Sequence, residues 1–285
     1  MARHVALVTD STAYLPPELA REHDITTLPV QVIIAGKPYL EGVDISAEEV
    51  AAALREWKAV STSRPSPASF AAAYQAAADA GSDSVVSAHL SSDLSGTFQM
   101  AMLAAKESPI PVQVVDSRTL AMALGYSVLT GADVADGGGS TQDVAAAISA
   151  RAAGTKLLFY VDSLEYLRRG GRMGSTAAAF GGALRIKPIL HLQDGRVQML
   201  EKARTAAKAL ARLVDLSVQA AEEAVPGTVI DIAVSHIDAV DRAGQLADSL
   251  RKRLPEAVVM VGEIGAVVGT HVGPGMVSVV VAPRV

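Results

Sequence analysis

Four hydroxyls fall within seven residues at Ser91, Ser92, Ser95 and Thr97 of "SSDLSGT", between the apolar run "VVSAHL" and a helix-like Ala/Met stretch. Two chemistries use such a cluster. One is nucleophilic, and needs a base within hydrogen-bond reach of a serine and an acid to orient that base. The other is reception of an anion by hydroxyls and by the unpaired N–H groups of a helix start. Three further small-polar groups stand in similar places: Thr9-Asp10-Ser11-Thr12, Asp116-Ser117, and Ser61-Thr62-Ser63 ahead of a helix start. Any one of these hydroxyls is explained by capping its own helix, but one cap needs one side chain and "SSDLSGT" offers four.

The nucleophilic alternative is a serine hydrolase using Ser95. Its nearest base in sequence, His89, sits inside an apolar strand, where a satisfied core histidine is the simpler reading; His271 is a distant second candidate. No G-x-S-x-G elbow occurs. Neither a Walker loop nor a G-x-G-x-x-G following the first strand is present. Asp231, His236 and Asp238 of "DIAVSHIDAVD" have metal-ligand chemistry, but strand periodicity and a helix cap at Asp238 account for them more economically. "YLRRGGRM" sets Arg168, Arg169 and Arg172 around Gly170-Gly171, and "GTHVGPG" places His271 ahead of Gly273-Pro274-Gly275.

The elements that must position these residues alternate through the first half. Strands are expected at "HVALVTD" (4–10), "TTLPVQVII" (26–34), "DSVVSAHL" (83–90) and "PVQVVDS" (111–117). Between them lie helices opened by Pro16 or Pro17, by the capping-box pair Ser46 and Glu49, and by Ser66-Pro67. Such alternation predicts a doubly wound, mainly parallel sheet whose strand ends carry the ligand. The second half reads as α+β with a mixed sheet: Asp194-Gly195 between two apolar runs predicts a hairpin, followed by an amphipathic helix over 205–224. The expected division is an α/β domain at 1–155, whose strand ends form the polar pocket, and an α+β domain at 156–285.

Half of the 285 residues are hydrophobic and 19% are charged, enough to build two cores. The net charge of −5, with scattered cations, argues against nucleic acid as a partner. The chain has no cysteine, which removes disulfides, thiolate metal sites and cysteine nucleophiles. No run reaches the ~18 apolar residues of a membrane span. The N-terminus enters a strand without a signal-peptide core, so the expectation is a soluble, cytosolic protein.

The ordered set "VTDSTAYLP", "TSRPS", "SSDLSGTF", "VVDS", "LEYLRRGGRM", "KPIL…DGRV", "KAR" and "HVGPG" resembles the DegV family along essentially the whole chain. The resemblance implies a two-domain bacterial protein whose N-terminal domain is related to those of dihydroxyacetone kinases, with a long-chain fatty acid buried between the domains. It implies a non-catalytic, FakB-type subunit that presents the acyl carboxylate to a separate ATP-using fatty acid kinase subunit and carries away the acyl phosphate. A lipid carrier or sensor without a kinase is the neighbouring alternative. No cofactor beyond the fatty acid ligand is expected, and transient membrane contact would serve lipid exchange.

Carried over residue by residue, the resemblance assigns Thr62 and Ser95 to the carboxylate, with Ser63, Ser92, Gly96 and Thr97 around them. His271 and Arg172 complete the polar network, and Arg204 of "KAR" faces the kinase partner. Burial of about fourteen methylenes is worth on the order of 11 kcal/mol gross, so the tail would supply affinity and the hydroxyls orientation. The small residues of "GSTAAAFGGAL" (174–184) would leave room for that tail. The chain departs from the family at Arg64, where Gln is usual, at Phe98 for Tyr, at Ala121–Gly125 where Ser and Gly are favoured, and at Val272 for Thr.

Overall fold

The computed structural model describes residues 4–173 and 186–284. In chain order its strands are β1 (Val5–Asp10), β2 (Ile25–Leu28), β3 (Gln31–Ile34), β4 (Lys37–Leu40), β5 (Val60–Ser63), β6 (Ser84–His89), β7 (Val112–Asp116), β8 (Lys156–Tyr160), β9 (Lys187–Gln193), β10 (Arg196–Ala203), β11 (Ile230–His236), β12 (Val258–Glu263) and β13 (Val277–Pro283). The helices are α1 (Pro17–Glu22), α2 (Ala47–Arg55), α3 (Pro67–Asp79), α4 (Thr97–Ala105), α5 (Met122–Asp136), α6 (Thr141–Gly154), α7 (Glu165–Arg169), α8 (Ala206–Glu222), α9 (Val240–Arg253) and α10 (Ala266–Val272). They divide into two compact units, one made of residues up to Gln31 with Ser63–Gly154, the other of Val32–Thr62 with Thr155–Arg284.

The first unit carries a four-stranded sheet in the order β2-β1-β6-β7, parallel throughout. Its central strand β6 is buried at every position, as a strand covered on both faces must be. One face packs Leu124, Val128 and Ala132 of α5 and Ile148 of α6; the other packs Phe70 and Tyr74 of α3 and Ala101 of α4. Strand order reverses between β1 and β6, which makes their carboxyl ends the switch point of the sheet. Ser66 caps α3 by accepting the Ser69 N–H, with Pro67 in the first turn, as expected.

The second unit is built on a six-stranded mixed sheet, β10-β9-β8-β13-β11-β12, antiparallel except for the β11–β12 pair. Its core packs Leu213 and Val214 of α8 and Leu246 and Leu250 of α9 against Ile232, Val234, Val279 and Val281. Asp194 and Gly195 both take positive φ, 51° and 80°, and close the β9–β10 hairpin. Among the described residues no helix is long and apolar enough to cross a membrane.

One expected strand changes. The segment 26–34 is not one strand. Pro29 has no N–H to give a ladder, and the Val30 N–H donates to Ser11 Oγ at 3.0 Å, so the chain leaves β2 and starts a separate strand, β3. Strand β3 belongs to a small sheet, β4-β3-β5, in which Ser61, Thr62 and Ser63 lie in β5, shortly ahead of the α3 start. Residues 32–62 also group with the second unit, although they precede position 155.

Three contacts hold the segment there. Helix α2, opened by the expected Ser46–Glu49 capping box, packs on α10. The buried Glu41 carboxylate accepts the Val267 N–H at 2.7 Å, and Arg55 forms an ion pair with Asp238. Replacing Glu41 with Ala leaves the buried Val267 donor unpaired, and urea unfolding should show a loss of about 1–3 kcal/mol; an unchanged midpoint would mean that this tie contributes nothing.

Candidate functional site

In the first unit the switch point is filled by the protein's own groups. Asp10 is fully buried, and its Oδ1 accepts the Thr12 N–H at 3.1 Å and the Thr12 hydroxyl at 2.5 Å. Its Oδ2 lies 3.0 Å from His89 Nδ1 and accepts the Leu90 N–H at 3.1 Å. His89 Nε2 is 2.7 Å from Ser87 Oγ, which takes a hydrogen bond from Tyr74 OH at 2.9 Å. Burial raises the Tyr74 phenol to about 12, with the Ser87 contact opposing, so the hydroxyl stays protonated. His89 is thus engaged through both ring nitrogens inside the core and is not free to act as a base for Ser95.

The loop after β6 sorts its hydroxyls by what they already hold. Ser92 donates its N–H and its hydroxyl to the two oxygens of Asp116, at 3.1 and 2.5 Å. Ser117 donates to the His89 carbonyl at 2.7 Å, and Ser91 takes the Asp93 N–H at 3.3 Å. Ser95 and Thr97 differ. Their oxygens lie 2.8 Å apart, and the Thr97 N–H also points to Ser95 Oγ at 3.3 Å. Thr97 is fully buried whereas Ser95 is half-buried. If Ser95 donated, the Thr97 proton would be stranded in the core; the favoured arrangement has Thr97 donating to Ser95, which leaves the Ser95 O–H available for a ligand oxygen.

The second unit holds the other pair. Thr62, in β5, has its Oγ1 2.9 Å from Nε2 of His271, in α10. A cleft of about 340 Å³ opens beside them, lined also by Trp57, Tyr166, Arg169, Gly170 and Arg172. His271 is depressed to about 4 by burial and, secondarily, by the charge of Arg172, so its ring is neutral at ordinary pH. Among the described residues its buried Nδ1 has no hydrogen-bond partner, and it faces Gly170, where a Cβ would lie only 2.2 Å away. A proton on Nδ1 would be an unpaired buried donor near a cation. The Nε2–H tautomer therefore wins, Thr62 accepts, and the Thr62 O–H is left to donate outward.

The turn that follows His271 at the end of α10 is held by close packing. Gly273 lies against the Tyr166 ring, and Gly275, at φ +87°, lies where a Cβ would come within 2.1 Å of Asp162 Oδ2. Asp162 takes hydrogen bonds from Tyr160 at 2.5 Å, Arg242 at 2.8 Å and Lys187 at 3.2 Å. Burial would raise this carboxyl, but those donors outweigh burial and hold it below its ordinary value. Arg172 donates to the Gly170 carbonyl at 2.6 Å.

The remaining expected residues fall as follows. Ser63 closes β5 and is half-buried; Gly96 precedes α4 beneath the side chain of Arg64; Arg204 is exposed, directly before the Thr205 cap of α8. Residues 174–184, expected to leave room for a tail, lie outside the described residues. Asp231 is paired bidentately with Arg284 and Asp238 with Arg55, and no cluster able to hold a metal occurs among the described residues. Sequence reasoning missed the ion pair of Arg168 and Arg169 with Glu165 and the stacking of Arg169 on Trp57, 5.1 Å from the ring centroid. The i, i+3 and i, i+4 spacings of "EYLRR" were the available signal for the first.

The depressed His271 has a defined pH consequence. Its folded value lies below the ordinary value of 6.5, so the unfolded chain binds the extra proton first. Its contribution to stability is intact at neutral pH, declines as pH falls through about 6.5, and levels off below about 4. Nitrogen-detected NMR should find a single neutral Nε2–H tautomer at pH 6; an imidazolium there, or an Nδ1–H, would refute the assignment, and His271→Asn should flatten this part of the stability profile.

With the geometry in place, the chain can be set beside known proteins. The model of a family described as "Uncharacterised protein, DegV family" matches residues 4–284. A DegV domain-containing protein of Streptomyces coelicolor is 50% identical over 285 residues, the whole of both chains. A DegV family protein from Thermus thermophilus, whose structure is described by its fatty acid binding, superposes with a TM-score of 0.90 at 33% identity, covering 98% of this chain and 99% of its own. DegV of Bacillus subtilis, described as a fatty acid binding protein, gives a TM-score of 0.90 at 31% identity, with 99% of each chain covered. The chain belongs to the DegV family.

Proposed function

We propose that this protein binds a long-chain fatty acid, burying the acyl tail and receiving the carboxylate through the Thr62 and Ser95 hydroxyls. The observation that carries the reading is the state of those two groups. The two hydroxyl oxygens lie 2.9 and 2.8 Å from one side-chain atom of the protein each, and the proton arrangement argued above has each accept there and keep its own proton, for which a carboxylate is a matching acceptor. The neutral His271 supports Thr62 from behind, and Arg172 adds positive charge beside the same cleft. The described binding of fatty acids by the Thermus and Bacillus proteins, at 33% and 31% identity over almost the whole chain, supports the same ligand class.

The reading extends to a partner. The carboxylate is presented to an ATP-using fatty acid kinase subunit, which phosphorylates it, and the protein then carries the acyl phosphate. Arg204, exposed where β10 hands over to α8, is the residue assigned to that contact. Transient contact with a membrane surface would serve exchange of the lipid. Hydrolysis by Ser95 is disfavoured by the engagement of both His89 nitrogens.

Denaturing mass spectrometry of the purified protein should release a long-chain fatty acid in stoichiometric amount. Thr62→Ala and Ser95→Ala should each weaken its binding about tenfold or more, as expected for a lost hydrogen bond to a charged group. A protein that holds no fatty acid and takes up none would end the carrier reading; ester turnover lost in Ser95→Ala would restore the hydrolase. Addition of a fatty acid kinase subunit and ATP should yield acyl phosphate, less with Arg204→Ala, and no acyl phosphate would leave a carrier without a kinase.

A further inference from the structure

The turn that presents Ser95 lies under a cation. A Cβ built on Gly96 would sit 2.9 Å from Arg64 Cδ, 3.3 Å from Nη1 and 3.4 Å from Nε, so the guanidinium end of Arg64 lies over the Ser95–Gly96–Thr97 turn at van der Waals distance. Glycine at 96 is what permits this approach; any other side chain would push the arginine aside. The arginine backbone is held on both sides, by Ser63 at the end of β5 and by the buried Pro65 ahead of the Ser66 cap. Among the described residues Arg64 has no carboxylate partner, whereas Arg168 and Arg169 share Glu165 and Arg212 pairs with Glu201.

We propose that Arg64 is a head-group specificity residue that adds an ionic contact to the hydroxyl contact at Ser95, so that this protein selects ionised long-chain acids over neutral lipids of equal length. The inference rests on the fatty-acid reading above. A hydroxyl alone discriminates weakly between a carboxylate and an alcohol, since both accept a hydrogen bond. A guanidinium distinguishes them by charge, and because Arg64 is exposed the contact is screened by salt.

The test measures binding of oleate and of oleyl alcohol by the wild-type protein, Arg64→Gln and Arg64→Lys at low and at physiological ionic strength. Arg64→Gln should weaken oleate binding about three- to tenfold at low salt and remove most of its salt dependence, with oleyl alcohol unaffected. Arg64→Lys should keep the salt dependence and part of the affinity. Equal oleate affinity and salt dependence in Arg64→Gln and wild type would overturn the inference while leaving the fatty-acid reading intact. Equal losses for oleate and alcohol would overturn it too, by showing that the side chain acts on the fold. A wild-type protein that binds neither ligand would remove the fatty-acid reading and this inference together.

Discussion

Asp10 is a carboxylate with no access to water, and a buried charge persists only where its oxygens are filled. Four donors answer it: the Thr12 N–H and hydroxyl from the turn after β1, His89 from the end of β6, and the Leu90 N–H just beyond. That demand joins the two central strands at the point where the sheet changes direction and sets the exit path of the loop carrying Ser91 through Thr97. Asp116 repeats the pattern from the end of β7 by holding Ser92. Two acidic residues at strand ends thus organise a loop in which, among the described residues, the Ser95 hydroxyl is held by Thr97 alone and by neither carboxylate.

The second unit reaches a similar result by packing. Gly170, Gly273 and Gly275 lie where His271, Tyr166 and Asp162 leave no room for a side chain, and Asp162 is locked by Tyr160, Lys187 and Arg242. The histidine is held in a place too dry for its charged form, so its single proton goes where a partner exists, toward Thr62. In both units a hydroxyl is polarised by a group that has accepted or donated first. A receptor for an anion works with donors whose protons have no acceptor of their own, and Thr62 and Ser95 meet that condition whereas Ser92 and Ser117 do not.

The sequence by itself determined the classes of element and several of their ends. The Ser46–Glu49 box, the Ser66-Pro67 start and the Asp194-Gly195 turn are local chemistry, satisfied within a few residues, and each stands where its pattern predicts. The Val/Ala-rich core of β6 and the alternation of strands with helices likewise declare a doubly wound sheet, because a strand buried on both faces carries apolar residues on both. The hydroxyl cluster was visible as well, since residue type and position at a strand end are properties of the chain.

What only the tertiary structure decided is which hydroxyl remains available. Asp116 and Ser92 are 24 residues apart, Asp10 and His89 are 79, and Thr62 and His271 are 209. No local pattern announces such pairs, yet each decides where a proton sits. The assignment of residues 32–62 to the second unit was hidden for the same reason: it turns on Glu41 meeting Val267 and Arg55 meeting Asp238, single polar contacts across nearly two hundred residues or more. Periodicity records which face of an element is dry. It does not record which donor finds which acceptor, because that depends on distances set by the packing of the whole chain.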